Sequence, residues 1–308
     1  MMRSILLTVL LASLAVCQIH DHRVLYGPYM SQCICATAVN VKYAYDWLTI
    51  GKFVDDACFK CFLKCITNAE AIAVGIFHAL RPMDTIATSY RVHGWAYLMT
   101  MNAQPVLAEL LGTKTGIAKG KGGSMHMYSK RLFGGNGIVG AQVPQGAGLA
   151  LAHKYKKDGG ISLGIYGDGA ANQGQVFESY NIAKLLSLPC VFLCENNKFA
   201  MGTSQVRGSA SSTYYTRGDY VPGLWVDGND IFTVIEATKF MIDYCSSGKG
   251  PLVVEASTYR YTGHSMSDPD TTYRTRDEIQ KERQGNDPLN NLKDALIKSS
   301  AITEAEIK

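Results

Sequence analysis

The residues best suited to chemistry in this 308-residue chain follow two apolar segments. Asp168 stands between two glycines directly after residues 161–166, and the pair Asn196 and Asn197 follows residues 189–194. Carboxylate and amide oxygens are the hard ligands that magnesium prefers, and a glycine lets a phosphate group approach the backbone closely. The pattern therefore indicates a site for a magnesium ion and a diphosphate. For the Gly-Asp-Gly segment alone, a simple turn in which Asp168 caps the next helix remains an alternative.

The two apolar segments are predicted to be neighbouring strands. Residues 161–166 are short, apolar and bounded by glycine, and residues 189–194 have the same character. Between them, apolar side chains recur at helical spacing over residues 173–186. A strand, a helix and a second strand in this order give parallel strands, and ligands bind outside the carboxyl ends of such strands. The predicted fold class is therefore α/β, a parallel sheet flanked by helices. Further predicted elements are helices over 69–80, 105–112 and 143–157, strands within 86–94 and over 251–256, and a charged surface helix near the carboxyl end.

Two glycine-rich segments resemble nucleotide motifs without satisfying them. Residues 116–126 are basic and predicted to be mobile, and they lack the Gly-Lys-Ser/Thr ending of a phosphate-binding P-loop. Residues 135–140 match the dinucleotide fingerprint formally, but residues 131–133 are not a convincing strand and a lysine-rich region follows. We therefore reject a nicotinamide site and expect these glycines to line a cofactor cleft.

Composition and the amino-terminal segment limit the classes of protein to which the chain can belong. A hydrophobic content of 47%, with 18% charged residues and a net charge of +4, describes a folded protein and gives no argument for nucleic-acid binding. Residues 1–17 have the pattern of a secretory signal peptide and are too short for a membrane span. Residues 18–66 are rich in cysteine, but Cys58 and Cys61 lack a second pair at zinc spacing, so a metal site is disfavoured. The remaining residues, 67–308, are predicted to form one domain.

This domain resembles the thiamine-diphosphate-dependent 2-oxo acid dehydrogenases, most closely the alpha subunits that act on pyruvate. The resemblance is carried by residues 90–94, 119–128, 134–146, 166–174, 194–197 and 259–275. It implies a thiamine-diphosphate-binding fold and oxidative decarboxylation of pyruvate, the step that links glycolysis to acetyl-CoA. The acetyl group would pass to the lipoyl arm of the next component of the complex. Residues 263–269 favour pyruvate over branched-chain oxo acids.

The resemblance also implies roles for single residues. Asp168, Asn197 and the backbone of Phe199 would bind magnesium, and Tyr90, Arg91 and His264 would lie nearest the reacting centre. The implied cofactor-binding residues are Tyr90, Arg91, Ser129, Gly137, Val139, Asp168, Gly169, Ala170, Asn197 and His264. Phosphorylation would occur at Ser265, Ser204 and Thr272.

The implied partners are a beta subunit, in a two-plus-two heterotetramer, a lipoyl-bearing acetyltransferase, and a regulatory kinase and phosphatase in the mitochondrial matrix. The beta subunit would supply the glutamate that activates the aminopyrimidine ring, since no carboxylate of this chain is expected to reach it. The chain departs from the family over residues 1–66, where Lys64 replaces a histidine, and at Ser129 and Phe199. It also ends before the usual carboxyl-terminal helices. The alternative is therefore a diverged non-catalytic or secreted homologue that keeps only the scaffold.

Overall fold

The computed structural model describes residues 70–265, 267–301 and 303–304. The predicted signal segment 1–17, the cysteine-rich segment 18–66 and Lys64 lie outside the described residues. Within the described ranges, no helix is both long enough and apolar enough to span a membrane.

A six-stranded sheet forms the centre of the structure, and every pair of neighbouring strands in it is parallel. The strands are ordered β2-β1-β3-β4-β8-β7. A separate short hairpin pairs β5 with β6. The strand bounds are β1 Thr85–Ser89, β2 Leu132–Asn136, β3 Ser162–Gly167, β4 Cys190–Asn196, β5 Phe199–Ala200, β6 Thr203–Ser204, β7 Gly223–Asp227 and β8 Leu252–Ser257.

Helices cover both faces of the sheet. Their bounds are α1 Glu70–Ala79, α2 His93–Thr100, α3 Ala103–Leu110, α4 Gln142–Lys156, α5 Gly174–Leu185, α6 Gln205–Gly208, α7 Ile231–Ser246, α8 Arg276–Asn286 and α9 Pro288–Lys298. One apolar core packs α1, α2 and α7 against the sheet, and a second packs α4 and α5 against its other face. Successive strand side chains point to opposite faces, so β4 contributes Val191 and Leu193 to the first core and Phe192 and Cys194 to the second.

The predicted strand–helix–strand unit is confirmed. It corresponds to β3, α5 and β4, and β3 pairs in parallel with β4 from Ser162 to Gly167. The α/β fold class is confirmed as well. Close packing explains the small residues of α4, because a Cβ on Gly146 would lie 2.9 Å from the backbone of Gly164 in β3.

Two local expectations were wrong, and one helix was not expected. Residues 132–136 form the edge strand β2, although its two glycines gave no strand pattern; a Cβ on Gly135 would lie 2.2 Å from the carbonyl oxygen of Met125. The segment before residue 105 contains an additional helix, α2, which buries Trp95 and Leu98. The carboxyl-terminal stretch forms two helices rather than one, and α9 buries Leu292 and Leu296 against the first core.

Candidate active site

A cavity of about 360 Å³ lies at the carboxyl edge of the sheet, where β1, β2, β3 and β4 end. This is the place at which parallel α/β sheets bind ligands. The segments that form it are separated by up to 175 residues in the chain, from Ser89 to His264. Its walls are built from Ser89, Tyr90, Arg91, Asn136, Ile138, Val139, Gly140, Gln142, Gly167, Asp168, Gly169, Ala170, Glu195, Asn197, Phe199, Ala200, Met201 and His264.

Asp168 is a buried carboxylate of the cavity and directly follows β3. Burial raises the pKa of Asp168 to about 6, although backbone N–H groups and the positive charges of Arg260 and Lys198 oppose the shift. Asn197 also lines the cavity, and its amide oxygen accepts a hydrogen bond from the Phe199 N–H at 3.2 Å. The three residues predicted to supply oxygen ligands, Asp168, Asn197 and Phe199, thus line the same cavity.

These residues fit a hard metal ion and a diphosphate. The available atoms are oxygens of a carboxylate, an amide and the Phe199 carbonyl, as magnesium requires. No atom lies within 4 Å of a Cβ position built on Gly167, so its backbone is open to a ligand. A Cβ on Gly169, in contrast, would lie 2.5 Å from the Ala200 side chain, so glycine is needed there for packing. Among the described residues no cluster of three or more His, Cys, Asp or Glu offers a competing metal site.

Tyr90, Arg91 and His264 form a polar group at another part of the cavity wall. The Arg91 guanidinium donates to the His264 carbonyl at 2.7 Å and lies 3.3 Å from His264 Nδ1. Because a guanidinium only donates, Nδ1 is the acceptor and the ring proton resides on Nε2, 3.3 Å from the Tyr90 hydroxyl. Burial, together with the charges of Arg91 and Arg260, lowers the pKa of His264 to about 4. The imidazole is therefore neutral at physiological pH and presents an N–H donor.

The loop that carries His264 is held by a buried arginine and a carboxylate. Asp268 accepts hydrogen bonds from the His264 N–H and the Tyr273 hydroxyl, both at 2.6 Å. Although burial opposes the shift, these bonds lower the pKa of Asp268 to about 2. Arg260, only 2% exposed, donates to the Tyr273 hydroxyl at 2.7 Å and to the Phe199 carbonyl at 2.8 Å. Arg260 thus joins the His264 loop to the carbonyl that would bind the metal.

Comparison with known proteins identifies the protein family of this chain. Residues 59–308 match the profile of the family described as "Dehydrogenase E1 component". The chain belongs to this family. The match begins at residue 59, a few residues before the boundary at 67 that was expected from the sequence.

Relatives of this E1 chain are similar over most of its length. It is 55% identical to a "Probable pyruvate dehydrogenase E1 component subunit alpha, mitochondrial" of Caenorhabditis elegans, over 84% of this chain and 65% of the relative. It is 57% identical to the corresponding mitochondrial subunit of Saccharomyces cerevisiae, over 82% and 61%. It is 53% identical to the somatic form of the mitochondrial alpha subunit of Homo sapiens, over 88% of this chain and 68% of the relative. The chain therefore spans about two thirds of the length of these relatives.

Most of the predicted site residues of the E1 chain line one cavity, and several do not. Gly137 lies between two lining residues, and a Cβ there would be 3.3 Å from the His126 ring. Ser129 is not part of the wall; it lies before β2, and its hydroxyl has no hydrogen-bond partner among the described residues. Ser265 adjoins His264, and its hydroxyl lies 3.0 Å from that of Ser267. Ser204 is the last residue of β6, and Thr272 is exposed.

The sequence analysis missed three polar residues of the wall. Asn136 ends β2, and its amide donates to the Thr88 carbonyl and to Gln145. Gln142 begins α4, is 1% exposed and lines the cavity. Glu195 also lines it, and burial raises the pKa of Glu195 to about 7. The position of Glu195 directly before the Asn pair was the available signal in the sequence.

Proposed function

We propose that this chain is the alpha-type subunit of a thiamine-diphosphate-dependent pyruvate dehydrogenase. The observation that carries the proposal is the single cavity in which Asp168, Asn197, Arg91 and His264 converge from four separate segments. Membership of the E1 family and similarity to proteins named as pyruvate dehydrogenase alpha subunits support it. The mitochondrial names of those relatives favour the mitochondrial matrix over secretion.

Different residues of the cavity would bind different parts of the cofactor. Asp168, the Asn197 amide oxygen and the Phe199 carbonyl would hold magnesium, and the backbone of Gly169 and Ala170 would receive the diphosphate. Gly137 and Val139 would flank the aminopyrimidine. When bound, thiamine diphosphate supplies a nucleophilic ring carbon and an electron sink for decarboxylation.

The chain's own side chains would orient the oxo acid and control protons. Arg91 is a permanent cation at the cavity wall and can attract a carboxylate or a phosphate. His264 is neutral, and its Nε2–H faces the Tyr90 hydroxyl at 3.3 Å, so it can donate to an oxygen of the substrate in place of that hydroxyl. The hydrogen bond from Arg91 to Nδ1 keeps the proton on Nε2. The geometry therefore favours a hydrogen-bond donor at this point over a cationic acid.

A beta subunit would complete the site in a two-plus-two heterotetramer. Ile138 is 75% exposed and Val139 is 50% exposed, and both lie on the cavity wall. Apolar side chains beside a polar cleft are typical of a surface that another protein covers. The acetyl group would then be taken by a lipoyl-bearing acetyltransferase, and a kinase and phosphatase would act on Ser265, Ser204 and Thr272. The same apolar exposure would occur in a homologue that only assembles, so turnover is the deciding measurement.

The experiment compares the full chain, alone and co-expressed with a beta subunit, for decarboxylation of pyruvate. We expect turnover only in the assembled form. Asp168→Ala should abolish magnesium-dependent binding of thiamine diphosphate in calorimetry, because it removes the charged ligand. Asp243→Ala, at an exposed position of α7, is the matched control and should bind normally. Unchanged affinity in Asp168→Ala would refute the site, and turnover by the chain alone would refute the need for a partner.

A further inference from the structure

The chain makes a tight turn between β2 and α4, at the wall of the cavity. The Ile138 carbonyl accepts the Ala141 N–H at 3.1 Å, which closes a β-turn over residues 138–141. The backbone φ angle is positive at Gly140, +85°, but not at Val139. This combination identifies a type II turn, in which glycine is favoured at the third position. The first three residues of the turn all line the cavity.

The central peptide of such a turn, here between Val139 and Gly140, has two possible orientations. Type I and type II turns share the same closing hydrogen bond, but the dihedral angles on either side of the central peptide differ by about 150–170°. A flip of this peptide reverses the directions of the Val139 carbonyl and the Gly140 N–H. The hydrogen bond that closes the turn therefore does not select the orientation, and another contact is needed to do so.

Gln175, the second residue of α5, provides this contact. Its side-chain amide donates to the Val139 carbonyl at 2.9 Å. Because that acceptor is a carbonyl oxygen, the NH₂ group of Gln175 must face it. A Cβ on Gly140 would lie 2.7 Å from the same nitrogen atom, so the amide lies directly against the central peptide. With the peptide flipped, the Val139 carbonyl would point away and the hydrogen bond could not form.

We propose that Gln175 is a positioning residue, which holds the Val139–Gly140 peptide in its type II orientation and so shapes the wall where the organic ring of the cofactor binds. Gln175 lies outside the cavity wall and acts through the turn. The inference rests on the proposed function, in which Gly137 and Val139 flank the aminopyrimidine. A wall that is fixed before binding costs less to order when the ligand arrives.

The effect of Gln175 should be confined to one end of the cofactor. Asp168 follows β3 and Asn197 follows β4, so the residues that would bind magnesium do not belong to the turn between β2 and α4. Loss of the Gln175 amide should therefore weaken binding of the ring and leave binding of magnesium and a diphosphate unchanged. A general loss of structure would weaken both.

The test uses the full chain assembled with its beta subunit and measures two affinities by calorimetry. Thiamine diphosphate with magnesium probes the whole cofactor, and inorganic pyrophosphate with magnesium probes the diphosphate end alone. Gln175→Met keeps the length of the side chain but cannot donate to Val139. We expect it to weaken binding of thiamine diphosphate roughly 3–10-fold, the equilibrium effect of one neutral hydrogen bond, with an unchanged affinity for pyrophosphate.

Gln173→Met is the matched control. Gln173 is exposed, directly precedes α5 and caps no N–H group of that helix with its side chain. Its Cβ lies 3.3 Å from a Cβ built on Gly140, so it shares the surroundings of the turn, but the amide bound to the Val139 carbonyl is that of Gln175. Both affinities should equal those of the unmodified assembly.

Gly140→Ala perturbs the same peptide from the other side. Alanine disfavours the positive φ of this position, and its Cβ would displace the Gln175 amide. We expect the same selective loss of affinity for thiamine diphosphate. The double variant with Gln175→Met should bind thiamine diphosphate no more weakly than Gly140→Ala alone, because the first substitution already breaks the hydrogen bond.

The outcomes separate this inference from the proposed function. Selective losses in Gln175→Met and Gly140→Ala that do not add in the double variant support the proposal. Unchanged affinity for thiamine diphosphate in Gln175→Met, or additive losses, would overturn this inference alone. Equal weakening of both ligands, or failure to assemble with the beta subunit, would show that Gln175 supports the fold or the subunit contact instead. If the unmodified assembly binds neither ligand, the proposed function is wrong as well.

Discussion

The glycine-rich loop of residues 116–126 provides the sharpest test of the structure, because the carboxylate of one residue, Glu109, holds it in place. Glu109 lies at the end of α3 and is fully buried. Its Oε2 accepts the N–H groups of Ala118 and Gly120, and its Oε1 accepts those of Gly122 and Gly123. Converging backbone N–H groups of this kind usually bind an external anion such as phosphate. In this chain the carboxylate of Glu109 occupies the place of that anion.

Glu109→Gln should release the loop by an amount that follows from these four hydrogen bonds. Whichever way the glutamine amide is turned, its one oxygen can accept hydrogen bonds from two of the four backbone N–H groups. Its NH₂ group then faces the other two N–H groups, which lose their acceptor. Two hydrogen bonds to a charged group are lost, each with a contribution of about 1.5–3 kcal/mol. The expected cost is therefore about 3–6 kcal/mol. Local opening of the loop should absorb most of this cost, because most residues of the loop are at least partly exposed, whereas β3 and β4 are almost entirely buried.

Hydrogen exchange at single amides is the appropriate measurement. A cost of about 3 kcal/mol should lower the protection of the four bound amides roughly 100-fold, while amides of β3 keep theirs. Glu178→Gln makes the same chemical change at an exposed residue and should alter nothing. Unchanged protection at Gly120, Gly122 and Gly123 would refute the reasoning. An even loss across β3 and β4 would also contradict it, since it would indicate global destabilisation.

Three further predictions concern the His264 loop and the buried His93. Tyr273→Phe removes the hydroxyl that joins Arg260 to Asp268 and should lower the free energy of unfolding in urea by about 1–3 kcal/mol; an unchanged midpoint would contradict its structural role. Ser265→Glu places a negative charge beside His264 and should abolish pyruvate turnover in the assembled enzyme, whereas normal activity would rule out a phosphorylation switch at this serine. Burial and the charge of Arg91 lower the pKa of His93 to about 4, so the unfolded state binds the extra proton and stability falls as the pH drops from 6.5 to 4. Over that window the slope of stability against pH should be up to about 1.4 kcal/mol per unit steeper than in His93→Gln, and equal slopes would show that His93 is not buried in its neutral form.

The elements that could be predicted from the sequence are those whose apolar pattern matches their burial. Residues of β3 and β4 are apolar throughout because both faces of the sheet are covered, and α5 repeats its buried side chains at helical spacing. The motif residues at the ends of these strands then had to lie together, so the position of the cavity could also be predicted. The strand β2 could not, because it is held by backbone pairing with β1 and contains two glycines without a side-chain pattern. Likewise, nothing in the sequence indicated that Arg260 is buried, since two of its four acceptors, the carbonyls of Phe199 and Met201, lie 61 and 59 residues away in the chain.

The buried glutamates show why the rest of the site could not be predicted. Glu109, Glu195 and Glu255 are the same residue type at the end of a helix or within a strand, and local sequence gives them no distinct roles. Tertiary donors separate them: Glu109 meets four backbone N–H groups, Glu255 meets an amide and a backbone N–H, and Oε1 of Glu195 meets no donor in the described residues. A satisfied carboxylate stabilises the fold, because removing it leaves its donors buried and unpaired. Glu109→Gln should therefore lower stability at a place away from the cavity, although the local sequence around Glu109 gives no sign of that role.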